Sequence, residues 1–317
     1  MEADSRQLDQ QDYECISRWL ADCHENHVST CPPHTAQRSI QLSFIDCHNA
    51  VVVLTPFDAS YLALSYVWDV PTHLGVGNTS HQTLLNAPMV IKDAMEVTIR
   101  LGYQYLWVDR YCINQDDAEE KYRQINHMNY IYAGAEVTIV AAADMSIVGG
   151  LQGVSSRTNS LDSGFRLGPY LHTLVPVPRL AIKRSKWNSR GWTYQEAVLS
   201  PRKLVFTTHH IYMQCNGKHA FVSHSPNGQK YTFPPHDNFT GQFKNHQVAM
   251  MALESNPYPE SHFGRTNVEL FNSHIKEYVV RELSFESDRF NAIRGVLSHF
   301  ETQHPPVFQI YGLPYLT

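Results

Sequence analysis

The sequence predicts an α/β fold in which a parallel sheet is flanked by helices. Short apolar runs of strand length alternate with segments whose apolar residues recur at helical spacing, a pattern typical of βαβ units. The chain has 317 residues, which is long enough to bury a large core. Its 43% hydrophobic and 17% charged residues are typical of a globular protein. We therefore expect a central α/β domain with an N-terminal extension and a C-terminal helical segment.

The first part of the chain, residues 1–56, is predicted to form one helix and two strands. Apolar residues at positions i, i+3, i+4 and i+7 predict a helix from about Leu8 to Cys23. A pair of prolines then ends it. Two apolar runs predict strands at Ser39–Ile45 and Val51–Thr55.

The central part, residues 57–215, is predicted to hold the parallel sheet. Helices are expected from Pro88 to Gly102, from Asp117 to Gly134 and from Trp192 to Leu199. The second of these begins with Asp117 followed by Glu120, which resembles a capping box. Strands are predicted at Leu62–Val67, Tyr105–Val108, Glu136–Ala142, Leu174–Ile182, Leu204–Thr207 and Ile211–Gln214.

The last part, residues 216–317, is predicted to be a loop-rich region followed by two helices packed on the core. Residues 216–266 show no clear period, and we expect an extended surface region with a hairpin. Phe271, Ile275, Tyr278 and Val279 lie on one face of the first amphipathic helix. The second is expected to be capped near Ser287 or Asp288 and carries Phe290, Ile293, Leu297 and Phe300.

Charge and composition exclude several classes of partner. The formal net charge is −5 and no long basic run occurs, so we expect no nucleic-acid partner. The opening stretch lacks the basic start and apolar run of a signal peptide. No apolar run is long enough for a bilayer, so we expect no membrane contact. Six scattered cysteines favour reduced thiols, and we expect a soluble, cytoplasmic protein.

The first candidate site is the segment 65–69, at the carboxyl end of a predicted parallel strand. Ligands of open α/β sheets bind beyond this end of the strands. The segment offers polar and aromatic side chains there, namely Ser65, Tyr66, Trp68 and Asp69. The alternative is that the two aromatic residues only pack against the end of the sheet, and position alone favours neither interpretation.

Two further segments follow strands or precede helices in the same way. In residues 107–115, Asp109 and Arg110 are candidates for ligand binding, although a structural ion pair is the favoured interpretation. Asn114 and Gln115 could orient a ligand or shape the turn. In residues 189–196, Glu196 is expected on the first turn of a helix, where local sequence alone favours a capping role.

A metal site receives less support from the sequence. Cys23, His27 and Cys31 are spaced at i, i+4 and i+8, which a continuing helix would place on one face. Zinc requires a fourth ligand, and no second cluster is spaced to supply it. We therefore expect a packing motif and no metal. Neither GxGxxG nor GxxxxGK[ST] occurs, so nucleotide-binding sites of those types are not predicted.

Several segments in fixed order resemble the fungal heterokaryon-incompatibility (HET) domain family. They are YLALSYVWD at 61–69, IKDAMEVTIRLGYQYLWVDRYCINQDD at 91–117, MNYIYAGAEVTIVAAA at 128–143 and GWTYQEAVLSPRKLVF at 191–206. The family is thought to be distantly similar to TIR domains. That resemblance implies a TIR-like, flavodoxin-like sheet and cleavage of NAD into nicotinamide and an ADP-ribose product.

The resemblance also implies roles for individual residues. Enzymatic TIR domains place a catalytic glutamate in a Trp-Cys-x-x-Glu pattern, and Trp192 and Glu196 keep that spacing without the cysteine. Glu196 is therefore the implied catalytic residue of a candidate NAD nucleosidase that needs no cofactor and no metal. The implied substrate-binding residues are Ser65, Tyr66, Trp68, Asp69, Asp109, Arg110, Arg190, Trp192 and Gln195.

The resulting expectation is an NAD glycohydrolase of self/non-self recognition and cell death that acts as a homo-oligomer. One alternative is a non-catalytic assembly module. The other is an enzyme of secondary metabolism acting on a small molecule, which is favoured by Asp69, where the family usually has glycine. Family members usually continue well past the point where this chain ends. We therefore expect either part of a longer protein or a short member.

Overall fold

A mixed sheet forms the centre of the computed structural model. The structure describes residues 7–31, 41–54, 58–68, 84–143, 149–155, 164–167, 170–173, 178–208, 210–224, 230–237 and 266–315. Its strands are β1 (Ser43–Asp46), β2 (Val51–Leu54), β3 (Tyr61–Ser65), β4 (Tyr105–Trp107), β5 (Val137–Ala141), β6 (Gly164–Leu167), β7 (Tyr170–Thr173), β8 (Arg202–Phe206), β9 (His210–Cys215), β10 (Lys218–His224), β11 (Lys230–Asp237), β12 (Phe308–Ile310) and β13 (Leu313–Tyr315).

Nine of these strands pair in the order β11-β10-β9-β8-β5-β3-β4-β1-β2. The four central strands β8, β5, β3 and β4 are parallel to one another, and the strands added on either side are antiparallel. Numbered along the chain, the parallel strands lie in the order 2-1-3-4, as in a flavodoxin-like sheet. The winding of the chain therefore reverses between β3 and β5, where Ser65 is opposite Val140.

Ten helices are described alongside the strands. They are α1 (Gln10–Asn26), α2 (Met89–Arg100), α3 (Asp109–Cys112), α4 (Ala118–Asn126), α5 (Met128–Ala133), α6 (Pro178–Arg184), α7 (Lys186–Ser189), α8 (Gly191–Leu199), α9 (Asn267–Tyr278) and α10 (Asn291–Glu301). Side-chain caps fix several starts, including a capping box of Asp9 with Asp12 on α1 and of Thr266 with Glu269 on α9. No helix in these ranges is long and apolar enough to cross a bilayer.

Helix α8 is packed from two sides. Ala197 lies against the sheet, in an apolar cluster with Val140 and Val205. Tyr194 faces the other way and packs with Phe271 of α9 and the residues of α10 that line the same cluster. A helix enclosed in this way is buried nearly all round, which explains why the sequence of α8 shows little amphipathic pattern.

Most predicted elements are present with shifted ends, and the predicted hairpin in 216–266 is confirmed as β10 and β11. The strand predicted at 174–182 is wrong, because residues 178–184 form α6. The alternation of Leu180 and Ile182 imitates a strand, whereas Pro178 suits the first turn of a helix. Residues 174–177 lie outside the described ranges.

Two helix predictions also need correction. The helix expected from 117 to 134 is broken at His127 into α4 and α5. The carboxylate of Asp117 does cap α4, but that of Glu120 bonds to side chains one turn further on. The last helix begins at Asn291 after a 3-10 turn, and not at a serine or aspartate cap. Asp288 instead accepts a hydrogen bond from the indole of Trp192.

The proposed division at residues 56 and 215 remains a prediction. The central sheet runs through both positions, because β1 pairs with β4 and β9 pairs with β10.

Candidate functional site

A buried hydrogen-bonded group lies where the winding of the sheet reverses. Ser65 is the last residue of β3, and its hydroxyl donates a hydrogen bond to Oε2 of Glu196 on α8. The same hydroxyl accepts a hydrogen bond from Nε1 of Trp187 on α7, at 2.7 Å. Glu196 is only 4% exposed and Ser65 only 1%. Residues of β3, α7 and α8 are thus linked in one chain of hydrogen bonds, from Trp187 through Ser65 to Glu196. This chain lies at the carboxyl edge of the parallel strands, where α/β proteins bind ligands.

Burial dominates the electrostatics of Glu196. Burial, which is the largest effect, and the negative charge of Asp109 both raise the pKa of this carboxyl. The hydrogen bond from Ser65, the nearby hydroxyl of Tyr132 and the positive charge of Arg190 lower it, and the net result is a pKa of about 8. Glu196 is therefore protonated at neutral pH unless a further positive charge approaches it.

A second group occupies the ends of β3 and β4. The indole Nε1 of Trp68 lies 3.1 and 3.2 Å from the two carboxylate oxygens of Asp109. The guanidinium of Arg110 lies 5.6 Å from the centre of the Trp68 ring, within cation–π range. The Trp68 side chain is 39% exposed, so part of this group faces solvent. The backbone amide of Arg110 donates to Oδ1 of Asp109 at 2.7 Å, and the positive charge of Arg110 also lowers the pKa of that carboxyl.

The carboxyl groups of Asp109 and Glu196 are electrostatically coupled. Asp109 is half-buried, and desolvation raises the pKa of its carboxyl. The bonds from the Arg110 amide and from Trp68 offset part of this effect, and the net result is a pKa of about 6. Since the pKa values of the two groups differ by about two units, Asp109 is mainly ionised and Glu196 mainly protonated near pH 7. Separated pKa values of this kind are common in active sites.

The other predicted residues of segment 65–69 differ in their environment. Tyr66 is buried and 7% exposed, and desolvation raises the pKa of its phenol well above the ordinary value. This burial fits the packing alternative for Tyr66 and leaves Trp68 as the exposed aromatic residue. Asp69 lies outside the described residues, as does the rest of the segment 69–83.

The remaining predicted binding residues contact the C-terminal part of the chain. Arg190 donates from Nη2 to the hydroxyl of Ser284, and the indole of Trp192 donates to Asp288. Gln195 is 1% exposed, and its Oε1 accepts a hydrogen bond from the amide of Gly295 at 2.7 Å. These contacts hold α8 against the segment before α10 and against α10 itself.

The position of Glu196 within its helix differs from the sequence-based expectation. Helix α8 begins at Gly191, so Glu196 lies in the second turn, and no acidic residue occupies the first. The capping interpretation of Glu196 is therefore wrong, and the helix dipole does not account for its position. Its carboxyl group is held by Ser65 of β3, across the helix–sheet interface.

In the turn after α3, the side-chain amide of Gln115 donates to the carbonyl oxygens of Asp109 and Ile113. The side-chain oxygen of Asn114 accepts a hydrogen bond from the backbone amide of Asp116. These bonds support the alternative in which both amides shape the turn.

Two residues of the buried group are not predicted from the sequence. Trp187 lies on the four-residue helix α7, and nothing in the local sequence indicates that its indole reaches Ser65. Tyr132 falls at helical spacing before β5, which predicts burial. That its hydroxyl donates to the Leu64 carbonyl at 3.3 Å and helps to lower the pKa of Glu196 depends on the tertiary fold.

Comparison with known proteins identifies the relatives of this region. Residues 61–196 match the family model described as "Heterokaryon incompatibility protein (HET)", so the match begins with β3 and ends at Glu196. A Neurospora crassa protein named "Heterokaryon incompatibility protein 6, OR allele" is 31% identical over 132 residues, which is 36% of this chain and 19% of that protein. The matched part thus spans about a fifth of the relative's length. No solved structure shows significant similarity.

Proposed function

We propose that this chain, which matches the heterokaryon incompatibility (HET) family model over residues 61–196, is a HET-domain NAD glycohydrolase with Glu196 as the catalytic carboxylate. The observation that carries the proposal is the position of the Glu196 carboxyl. It lies at the carboxyl end of β3, where the winding reverses, and it accepts a hydrogen bond from Ser65, whose hydroxyl is itself held by the indole of Trp187. The TIR resemblance gives the same residue the catalytic role.

The chemistry of NAD requires few groups from the protein. Nicotinamide is attached to C1′ of the ribose as a pyridinium cation, so it leaves as a neutral molecule and needs no general acid. An ordinary glycoside loses an alkoxide and therefore requires a second carboxyl group as acid. The one essential contribution is a negative charge beside the oxocarbenium-like sugar, which the Glu196 carboxylate would supply. Water then adds to C1′ and releases a proton.

The raised pKa of Glu196 connects substrate binding to ionisation. A pyridinium cation placed beside the carboxyl favours its ionised form, as do hydrogen bonds from ribose hydroxyls. NAD would thus lower the pKa from about 8 and generate the carboxylate that it requires. A protonated carboxyl in the free protein also avoids an unpaired buried charge.

The group around Trp68 would bind the rest of the dinucleotide. The exposed face of Trp68 can stack on a nicotinamide or adenine ring, and the guanidinium of Arg110 can meet the pyrophosphate. Arg190 and Gln195 are proposed to support the site through α8, because both side chains bond to the C-terminal part of the chain.

The biological role belongs to the same proposal. The name of the Neurospora relative refers to heterokaryon incompatibility. We propose that this chain acts in self/non-self recognition of that kind and causes cell death by consuming NAD. Because TIR-type sites are generally completed by self-association, the activity is expected to rise with protein concentration more steeply than in direct proportion.

The test is nicotinamide release from NAD by the purified chain at several protein concentrations. Glu196→Gln should reduce the rate by about 10²- to 10³-fold, as expected for loss of one transition-state contact. Glu136→Gln is the matched control, since that half-buried glutamate precedes β5 at the amino edge of the sheet, where it pairs with His24. The control should keep the wild-type rate.

A second candidate function is a non-catalytic assembly module, and the burial of the Ser65–Glu196 pair favours it. A carboxyl that is 4% exposed and accepts a buried hydrogen bond from Ser65 can serve as a structural core residue. Absence of turnover in a self-associating wild-type chain would support this function. A bound metabolite other than a dinucleotide, found by native mass spectrometry, would instead support the alternative small-molecule enzyme.

A further inference from the structure

Four potential metal ligands meet at the opposite edge of the sheet from Glu196. They are Cys23, His27, Cys31 and Cys215, and one ligand atom from each lies within 4.8 Å of all the others. We propose that these residues, here called the Cys3His cluster, bind a structural zinc ion. The sequence supplies three of them at short spacing, and the fold adds Cys215 as the fourth.

The local structure explains how the first three ligands converge. Cys23 lies one turn before the end of α1, and His27 is the C-cap residue, with its amide bonded to the Cys23 carbonyl at 3.0 Å. The chain then turns so that the amide of Cys31 bonds to the His27 carbonyl at 2.7 Å. Three side chains with metal-binding atoms thus face the same side of the end of α1.

The fourth ligand comes from the sheet. Cys215 is the last residue of β9, and its Sγ lies 3.2 Å from Nδ1 of His27. The side-chain amide Nδ2 of Asn216 in the following turn donates to the carbonyl of Thr30, at 2.8 Å. The turn between β9 and β10 is therefore held against the end of α1 independently of any ion.

The donor set and its dimensions suit zinc. Structural zinc sites are tetrahedral and commonly combine cysteine and histidine ligands, with Zn–S distances of about 2.3 Å and Zn–N distances of about 2.0 Å. Such a tetrahedron has edges of about 3.5 to 3.8 Å. Atoms that already lie within 4.8 Å of one another reach this geometry by small side-chain rotations.

The surroundings provide donors that stabilise thiolates. Nε of Arg202 donates to Cys23 Sγ at 3.3 Å, and the amide of Lys218 donates to Cys215 Sγ at 3.2 Å. Arg202 is 2% exposed, so a cation is buried beside the cluster. Three thiolates with one Zn²⁺ carry a net charge of about −1, which this guanidinium offsets.

The position of the cluster indicates a structural role. Cys215 pairs with Arg202, the first residue of β8, so the cluster lies at the amino edge of the parallel strands. Four protein ligands leave no open coordination position for a substrate. The proposed ion would link α1 to the end of β9, because Cys215 lies 184 residues after Cys31 in the sequence.

The experiment is metal analysis of the full chain, purified under reducing conditions without chelator. Elemental analysis by inductively coupled plasma mass spectrometry should find about one zinc ion per chain. Cys215→Ser should lower zinc affinity at least about tenfold. Cys15→Ser, on the same helix α1 but outside the cluster, should leave the zinc content unchanged. Cobalt substituted into the wild-type chain should give thiolate charge-transfer bands and intense tetrahedral d–d bands, a readout independent of the folding of any variant.

Three results would overturn the proposal. The first is a wild-type chain that holds no zinc and shows no cobalt–thiolate bands after reconstitution. The second is a Cys215→Ser chain whose zinc affinity, measured by competition with a chromophoric chelator, equals that of the wild type. The third is a disulfide among the three cluster cysteines in protein alkylated before exposure to oxidant, since a disulfide removes two thiolate ligands.

Discussion

The hydroxyl of Ser65 donates a hydrogen bond to the carboxyl of Glu196, 131 residues further along the chain. Because the same hydroxyl accepts from Trp187, its single proton is directed to Glu196. The Ser65–Glu196 contact joins β3, one of the four parallel strands, to α8. It holds the proposed catalytic carboxyl in position and lowers its pKa, against the larger opposite effect of burial.

The first prediction concerns this contact. Ser65→Ala removes a bond that lowers the pKa of Glu196 and leaves the buried indole of Trp187 without its acceptor. We expect a loss of about 1 to 3 kcal/mol in unfolding free energy and a shift of activity to higher pH. Urea unfolding and the pH profile of kcat/KM measure the two effects. Thr98→Val, which removes a buried hydroxyl from α2, should destabilise the protein without moving the profile.

The second prediction concerns pH dependence. If the ionised form of Glu196 is required, kcat/KM for NAD should rise with pH through an apparent pKa of about 8. Asp109→Asn removes a negative charge that raises the Glu196 pKa, so the rise should move to lower pH. An unchanged midpoint in Asp109→Asn would show that the rise belongs to another group.

The third prediction concerns stability. The folded-state pKa of Glu196, about 8, lies above its ordinary value of 4.5. Between these values the unfolded chain loses this proton and the folded chain keeps it, so the carboxyl's contribution to stability falls as pH rises. Glu196→Gln has no carboxyl at this position, so its stability lacks this dependence on pH. At pH 8 the variant should have the larger unfolding free energy, by about a few kcal/mol according to the linkage between pKa and stability. The two chains should converge near pH 4. If the difference in unfolding free energy between the two chains were the same at pH 4 and at pH 8, the raised pKa of Glu196 would be contradicted.

The fourth prediction concerns the packing of α10 on α8. A Cβ added at Gly295 would lie 2.5 Å from Cβ of Asn129 and 2.8 Å from Oε1 of Gln195. Gly295→Ala should therefore cost about 1 to 3 kcal/mol in unfolding free energy. Ser298→Ala on the same helix is the control and should change stability by less than about 0.5 kcal/mol. Thermal or urea unfolding measures the stability of both variants. Equal stability of Gly295→Ala and Ser298→Ala would contradict the close packing of Gly295 against Asn129 and Gln195.

The sequence predicts those parts of the fold that depend on local pattern. Apolar runs identify β3, β5 and β8, and the alternation with helices identifies their parallel arrangement. Ser65 and Asp109 can be predicted as candidate site residues because each lies at the end of a predicted strand. Pattern fails at α6, where two apolar residues alternate by chance within a helix that begins at a proline.

Contacts between distant segments are not encoded in local pattern. The bond from Trp187 to Ser65 joins residues that are 122 positions apart in the sequence. In the Cys3His cluster, Cys215 is close to the other three residues in space but far from them along the chain. The resemblance to a known family locates Glu196, but the burial that sets its pKa results from α8 being enclosed between the sheet and α10. Such features require the tertiary structure.

The most direct measurement is the initial rate of nicotinamide release from saturating NAD by the wild-type chain and by Glu196→Gln, above the carboxyl pKa of about 8. We predict measurable release by the wild type and a rate about 10²- to 10³-fold lower in the variant. Equal rates in the two chains, or no release by a self-associated wild type at any pH, would contradict it.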